Sequence, residues 1–285
     1  MTGQIVLAAT PIGNVGDASD RLKEALTQAD TVAAEDTRKV RDLARRLGVT
    51  ITGRVESYHD HNEAARAGDL VARARAGETV LVVSDAGSPL VSDPGFRIVE
   101  AAWAADVPVT TLPGPSAALA ALAVSGFSCD RFCFEGFPPR TSAARERLFR
   151  SLAHERRTMV FFESPRRLAA TLADMRAAFG EGRLAVVARE LTKTHEEVRR
   201  DGLGVLLEWA RSREILGEIV VVVAGATAER QGLEELADEA EARVGAGERL
   251  KDVVADIANS TGVSGRELYG EVLARRAAPP ATSPR

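Results

Sequence analysis

TVLVVSDAGSPLVSDPG, residues 79–95, decides how the first half of the chain is read. Its opening, Thr79–Val83, is a β-branched apolar run between turn signals, the pattern of a parallel strand buried on both faces. Ser84 to Gly95 is rich in Gly, Ser, Pro and Asp, with Leu90 and Val91 as its bulky apolar residues. Open α/β sheets bind ligands in such loops, at the carboxyl ends of their strands. This loop offers backbone N–H and C=O groups and a small apolar slot. It lacks a P-loop lysine, so a phosphate is not its obvious ligand. Asp93-Pro94 has the form of an N-cap followed by an N1 proline, and predicts a helix over Gly95–Ala104.

Strand and helix signals alternate outward from this segment. Ile5–Ala9, Thr31–Ala34 and Val107–Leu112 read as strands. Arg21–Gln28, capped by Asp17, Thr37–Leu47, ended by Gly48, and Asn62–Ala76 read as helices. That order implies a parallel sheet. A break at Ser125–Ser128 opens a second half with strands Arg131–Glu135, Thr158–Phe162, Leu184–Ala188 and Glu218–Ala224, a hairpin strand Glu196–Arg200, and one helix Arg166–Ala178. So few crossover helices predict a mixed sheet. The expected fold class is therefore α/β, with an N-terminal α/β domain over 1–127 and a second over 128–226. A helical module over 233–276 follows, resembling a helix-turn-helix or a plain three-helix unit, then a disordered tail over 277–285.

Composition narrows the function. The 285 residues are 45% hydrophobic and 27% charged, with a net charge of −4, which excludes a strongly basic nucleic-acid binder as a whole-chain description. The longest apolar run, Ala117–Val124, is far short of the roughly 20 residues that span a bilayer. The N-terminus has no basic n-region, so a cytoplasmic protein without membrane contact is expected. Cys129 and Cys133 cannot form a disulfide scaffold or a four-ligand zinc site. His59 and His61 beside Asp60 are weak evidence for a metal, and none is expected. Basic charge is concentrated locally, in residues 38–46 and 140–167, which suits phosphate contacts or a solvated helix face equally.

Two further small-residue loops, TPIGN at 10–14 and PGPSA at 113–117, follow predicted strands, so three such loops make a shared crevice plausible. Polar clusters lie at other element ends: AEDTR at 34–38, YHDHNE at 58–63, FFESPRRL at 161–168 and ARELTKTHEE at 188–197. Together with FEGFPPR at 134–140 and GEIVVVV at 217–223, this series resembles the tetrapyrrole methylase superfamily. Within it the chain is most similar to the ribosomal RNA small subunit methyltransferase I branch, the 16S rRNA cytidine 2′-O-methyltransferases. The first loop, TPIGNVGD, favours the RNA branch over the corrin and haem relatives, whose first loop is richer in glycine.

The resemblance implies two α/β domains of tetrapyrrole-methylase type, S-adenosylmethionine in the cleft between them, 16S rRNA of the small ribosomal subunit as partner, and a homodimer. By motif position it implies cofactor contacts from Pro11, Asp85, Ala86, Gly87, Ser88, Leu90, Val91, Ser116 and Ala117. The second domain would add Phe162, Glu163, Ala188, Arg189, Glu218 and Ile219. A ribose hydroxyl is a poor nucleophile until its proton leaves, so Asp36, Glu163 and Glu190 are candidate proton acceptors, as is Lys193 if desolvation lowers its pKa. Arg38, Arg140, Arg145, Arg147 and Arg166 are candidates for gripping RNA. A tetrapyrrole C-methyltransferase and a non-catalytic ribosome-associated RNA-binding protein remain as alternatives.

Overall fold

The computed structural model describes residues 3–59, 61–226, 233–261 and 263–277. Strands β1 (Gln4–Ala8), β2 (Thr31–Ala34), β3 (Arg54–Ser57), β4 (Thr79–Val83) and β5 (Val109–Leu112) form one sheet in the order β3-β2-β4-β1-β5, every pair parallel. Parallel neighbours need crossovers, and α1 (Asp20–Gln28), α2 (Thr37–Leu47), α3 (Glu63–Arg75) and α4 (Phe96–Ala104) provide them. The central strands are apolar throughout because both faces are covered. Ile5, Val80 and Val82 pack with Leu70 and Ile98, while Val6, Leu81 and Val83 pack with Leu22, Leu26 and Val40.

After β5 comes α5 (Ala117–Ser125), then a second sheet of β6 (Phe132–Gly136), β7 (Thr158–Glu163), β8 (Leu184–Arg189), β9 (Glu197–Gly202) and β10 (Ile219–Val223). Its order is β6-β7-β10-β8-β9, with β6 and β7 parallel and the other pairs antiparallel, so it is the mixed sheet expected. Helices α6 (Ser142–Ser151), α7 (Leu168–Phe179) and α8 (Leu203–Arg211) cover one face through Phe149, Leu172 and Leu206. α5 covers the other, setting Ala118, Ala121 and Leu122 against Val160, Val186 and Val222. A boundary after residue 127 thus separates α5 from the sheet it covers.

Three helices were not predicted. α5 is apolar all round and shows no amphipathic stripe to read. In α6 the arginines mask a short buried face of Arg145 and Phe149. α8 follows β9 with no intervening turn. Two predicted caps also move. α1 is capped by Ser19, whose hydroxyl accepts from the Leu22 N–H at 3.1 Å. α4 begins at Phe96, not at Pro94, because the Gly95 N–H is taken by the Glu63 carboxylate at 3.2 Å and Leu90 lies against Gly95. Tertiary contacts override the local N-cap signature there.

The chain divides into two compact units after Ala224. The second contains α9 (Leu233–Gly245), α10 (Leu250–Thr261) and α11 (Gly265–Ala277), which share a core of Leu236, Val253, Ile257, Leu268 and Val272. Arg275 on α11 is tied to Asp238 and Glu271. Asp60, Gly262 and the tail from residue 278 lie outside the described residues. Among the described residues no helix is long and apolar enough to cross a membrane.

Candidate functional site

Loops from both sheets of the first unit line one cavity of about 1210 Å³. Small-molecule sites are typically ~300–1,000 Å³, so this one has room for more than a single ligand. From the first sheet come Pro11–Gly13 after β1, Asp85–Ser88 and Val91–Asp93 after β4, and Ser116–Ala117 after β5. α2 presents Arg38, Lys39, Asp42, Leu43 and Arg46, one helical face by their spacing. From the second sheet come Phe137, Phe162–Pro165, Ala188, Leu191, Lys193 and Gly217–Val220.

Backbone pairing fixes the loops to one another. Thr10 and Gly87 exchange both backbone hydrogen bonds, at 2.8 and 3.1 Å, and the Ser84 hydroxyl donates to the Gly87 carbonyl. The Asp85 carboxylate accepts from the Asp36 N–H at 3.1 Å and from Lys39 at 2.7 Å, which holds α2 to the central loop. Across the cavity, the Asn14 N–H donates to Thr192 Oγ1 at 3.1 Å. Gly13 sits so close that a Cβ there would come within 2.4 Å of the Lys193 stem. Of the five non-glycine residues with positive φ among those described, Leu90, Ser92, Glu190 and Thr192 lie in these two loops. Such backbone persists only where its surroundings enforce it, and it clusters at functional sites.

The candidate proton acceptors are all engaged. Asp36 caps α2, and paired hydrogen bonds from the Arg38 guanidinium, at 3.1 and 2.8 Å, hold its carboxyl well below the usual carboxylate range. Glu163 is 3% exposed and accepts from the Ser164 N–H at 2.7 Å and from the Thr171 hydroxyl. Glu190 accepts from Lys193 at 2.8 Å and from the Glu218 N–H at 2.9 Å, and the Lys193 ammonium lowers its pKa. Burial disfavours the Lys193 ammonium, but the carboxylates of Glu190 and Glu218 outweigh it and raise the pKa. Lys193 is therefore a held cation, and its expected role as a base lowered by desolvation is not supported.

A depressed carboxyl contributes stability that is complete above its ordinary value and fades as pH falls through its folded value. Glu190→Gln should thus lower the thermal midpoint at neutral pH. The gap from the parent protein should close as pH drops below the ordinary 4.5. Thermal denaturation across that range checks it; a gap that stays constant would mean that the Glu190 charge does no work.

The cavity gathers most of the residues singled out from sequence: Pro11, Asp85, Ala86, Gly87, Ser88, Val91, Ser116, Ala117, Phe162, Glu163, Ala188, Glu218 and Ile219, with Asp36, Arg38 and Lys193. Two expected cofactor contacts, Leu90 and Arg189, and one candidate proton acceptor, Glu190, fall outside it. Leu90 covers Gly95, Arg189 turns away to Glu197 and the Leu216 carbonyl, and Glu190 stands behind Lys193. Arg140, Arg147 and Arg166 are exposed beyond the cavity. Arg145 is a correction: only 5% exposed, it pairs with Asp174 at 2.6 Å and donates to the Pro139 and Arg140 carbonyls, so it is not a surface contact for RNA. Cys129 is exposed and Cys133 half-buried. Sequence reading missed Phe137, Lys39 and Arg46 as lining residues; the spacing of 38, 39, 42, 43 and 46 on α2 was the available signal. No group of three or more His, Cys, Asp or Glu side chains suited to a metal occurs among the described residues.

Comparison with known proteins agrees with this architecture. The family model for tetrapyrrole (corrin/porphyrin) methylases matches residues 4–207. Ribosomal RNA small subunit methyltransferase I of Mycobacterium tuberculosis is 52% identical over 276 residues, covering 96% of each chain. Its namesake from a Synechocystis strain is 41% identical over 270 residues, covering 94% of this chain and 96% of the relative. Among solved structures, the methyltransferase CobJ aligns with a TM-score of 0.58 at 24% identity, over 81% of this chain and 97% of its own. A Thermus thermophilus uroporphyrin-III C-methyltransferase complexed with S-adenyl homocysteine aligns at 0.55 and 18% identity, over 78% and 94%. These last two likenesses concern the fold. The chain belongs to the tetrapyrrole methylase family and, within it, to the group of ribosomal RNA small subunit methyltransferase I.

Proposed function

We propose that this protein transfers a methyl group from S-adenosylmethionine to the ribose 2′-oxygen of a cytidine in 16S rRNA of the small ribosomal subunit. One observation carries the reading: a single cavity, larger than one ligand needs, takes small-residue loops from one sheet, an apolar wall from the other, and a basic helix face at its edge. The wall residues suit the cofactor. Ile12, Phe162, Ala188, Leu191 and Ile219 offer apolar surface to an adenine ring, and the paired loops at Pro11 and Asp85–Ser88 offer backbone polar groups to the charged portion. When bound, S-adenosylmethionine supplies an electrophilic methyl group on a sulfonium.

The protein's own contribution is placement. A general base works best with a pKa near the working pH, and Asp36 and Glu190 are both held below their ordinary values. We therefore read Asp36 as the tie between α2 and the central loop. Glu163 holds the turn after β7, and Glu190 with Lys193 braces the far wall. Rate enhancement then comes chiefly from orienting the hydroxyl, for which effective molarities are large. The test is methyl transfer from labelled cofactor to small subunits, with the product nucleotide located by mass spectrometry. Methylation of a porphyrinoid instead would establish the tetrapyrrole alternative; no transfer to either, with RNA bound, would establish a non-catalytic binder. A cytoplasmic homodimer completes the reading, and solution scattering that returns a monomer mass would overturn the oligomeric part.

Two expectations follow for the RNA. Arg46 is exposed, lines the cavity and has no ion pair among the described residues, so Arg46→Ala should weaken RNA binding and reduce the salt slope by about one unit. An unchanged slope would make it a solvated residue. Ending the chain after Ala224 removes the second compact unit and no residue of the cavity. Cofactor affinity measured by calorimetry should stay within about twofold, while methylation of small subunits falls at least tenfold. Full-rate methylation by the shortened chain would remove the second unit from substrate docking.

A further inference from the structure

Phe137 is a large aromatic side chain left 55% exposed at the cavity, and the surrounding structure holds it there. β6 pairs with β7 through Phe132, Cys133 and Phe134, and then slips: Gly136, not Glu135, faces Phe161. Gly136 takes a φ of +64°, the left-handed conformation that glycine accepts at a bulge. The extra residue shifts the alternation of the strand. Phe137 consequently joins Phe134 against Phe162, edge to face at 5.5 and 4.9 Å between ring centres.

The segment that follows is clamped. Arg167 donates to the Pro138 and Pro139 carbonyls at 2.6 and 3.0 Å, and Arg145 donates to the Pro139 and Arg140 carbonyls. Both arginines are themselves anchored, Arg145 by Asp174 and Arg167 by the buried Glu163. Two prolines, two guanidiniums and two carboxylates thus fix an aromatic ring that gains little burial from being there. The cavity also receives the face of α2 that carries Arg38 and Lys39, paired with Asp36 and Asp85, together with Asp42 and with Arg46, which has no ion pair among the described residues. A ring and a row of cations on one cavity match the two halves of a nucleotide, a flat base and an anionic backbone.

We propose that Phe137 is the stacking platform for the base of the target nucleotide, which enters the cavity swung out of its own stack while α2 holds the adjoining phosphates. This rests on the RNA-methylating reading above and adds to it which residue receives the base. The substrate it requires is unpaired RNA or a nucleotide that can be extruded, since a base within a helix offers no free face.

The test uses the full-length protein with Phe137→Ala, Phe137→Leu and Phe137→Trp. Base–aromatic stacking losses of the usual size lower kcat/KM for small subunits by about tenfold to a hundredfold in the Ala and Leu variants. The Trp variant should stay near the parent rate, and cofactor affinity by calorimetry should hold within about twofold in all three. Equal rates for Leu and the parent protein would overturn the platform, because apolar bulk alone would then suffice. Cofactor affinity that falls in step with turnover would also overturn it, since Phe137 would then be a cofactor wall. A second readout separates this inference from the function it rests on. In the Phe137→Trp variant, after subtraction of the parent signal from Trp103 and Trp209, a short cytidine-containing oligoribonucleotide should quench the new indole saturably. If the parent protein methylates no small subunit, the functional reading fails, and quenching or its absence still decides whether a base stacks here.

Discussion

Replacing Arg145 with Ala should lower folding stability by about 3–5 kcal/mol, the usual effect of removing one partner from a buried ion pair. The guanidinium joins α6 to α7, donating to Asp174 at 2.6 and 2.7 Å, and it also binds two carbonyls of the 138–140 turn. Without it, Asp174 keeps a largely buried charge with the Ser142 hydroxyl beside it, and two carbonyls lose a donor. For a unit of this size the thermal midpoint should fall by roughly 10 °C. Denaturant unfolding of Arg145→Ala measures it directly. The double variant Arg145→Met, Asp174→Leu should recover much of the loss, because an apolar pair carries no desolvation penalty. A loss below about 1 kcal/mol in the single variant would mean that Arg145 is solvated, as its place in an arginine-rich stretch first suggests.

Gly217→Ala should reduce affinity for S-adenosylmethionine on the order of a hundredfold while the rest of the unit stays folded. Gly217 has a φ of +91°, and a Cβ there would lie 2.4–2.5 Å from Cγ, Cδ and Oε1 of Glu190. Glu190 cannot retreat without releasing both Lys193 and the Glu218 N–H. The alanine therefore combines a strained backbone conformation with two lost charge-assisted hydrogen bonds. All of this falls on the wall formed by Lys193 and Gly217–Val220. Isothermal calorimetry gives the affinity, and circular dichroism confirms folding. Adding Glu190→Ala should restore only part of the binding, since it relieves the collision and leaves the backbone strain. Unaltered affinity in the single variant would detach this wall from cofactor binding.

The sequence announces its strands more clearly than its helices, and there is a physical reason. Val80–Val83 and Ile219–Val223 are buried on both faces, so every residue of these runs carries the signal. α5 carries apolar residues on its exposed side too, Leu119 and Val124 among them, so no polar face marks its period, and α6 displays eight exposed or half-buried positions around a small buried face. Loop motifs locate the site because small residues at strand ends are unusual enough to read individually. What they cannot give is the destination of each side chain. Arg145 and Arg147 are two positions apart and chemically identical, yet one is buried against Asp174 and the other exposed. Similarly, the oppositely directed Arg189 and Lys193 share one motif, and only the fold of the 190–192 turn, with two positive φ values, separates them.

The position of α5 restricts how this protein can be taken apart. Ala117–Ser125 follows the first sheet in the chain but shields Val160, Val186 and Val222 of the second. Two fragments divided near residue 127 would leave that helix attached to a sheet whose core it does not join, and the second fragment would expose a stripped valine surface. Fragments divided just before Ser116 would keep the helix with its sheet. Reassembly of split halves, fusion of a reporter between them, and recombination with a relative should therefore succeed at the 113–116 junction and fail a dozen residues later, even though the later site looks like the natural seam.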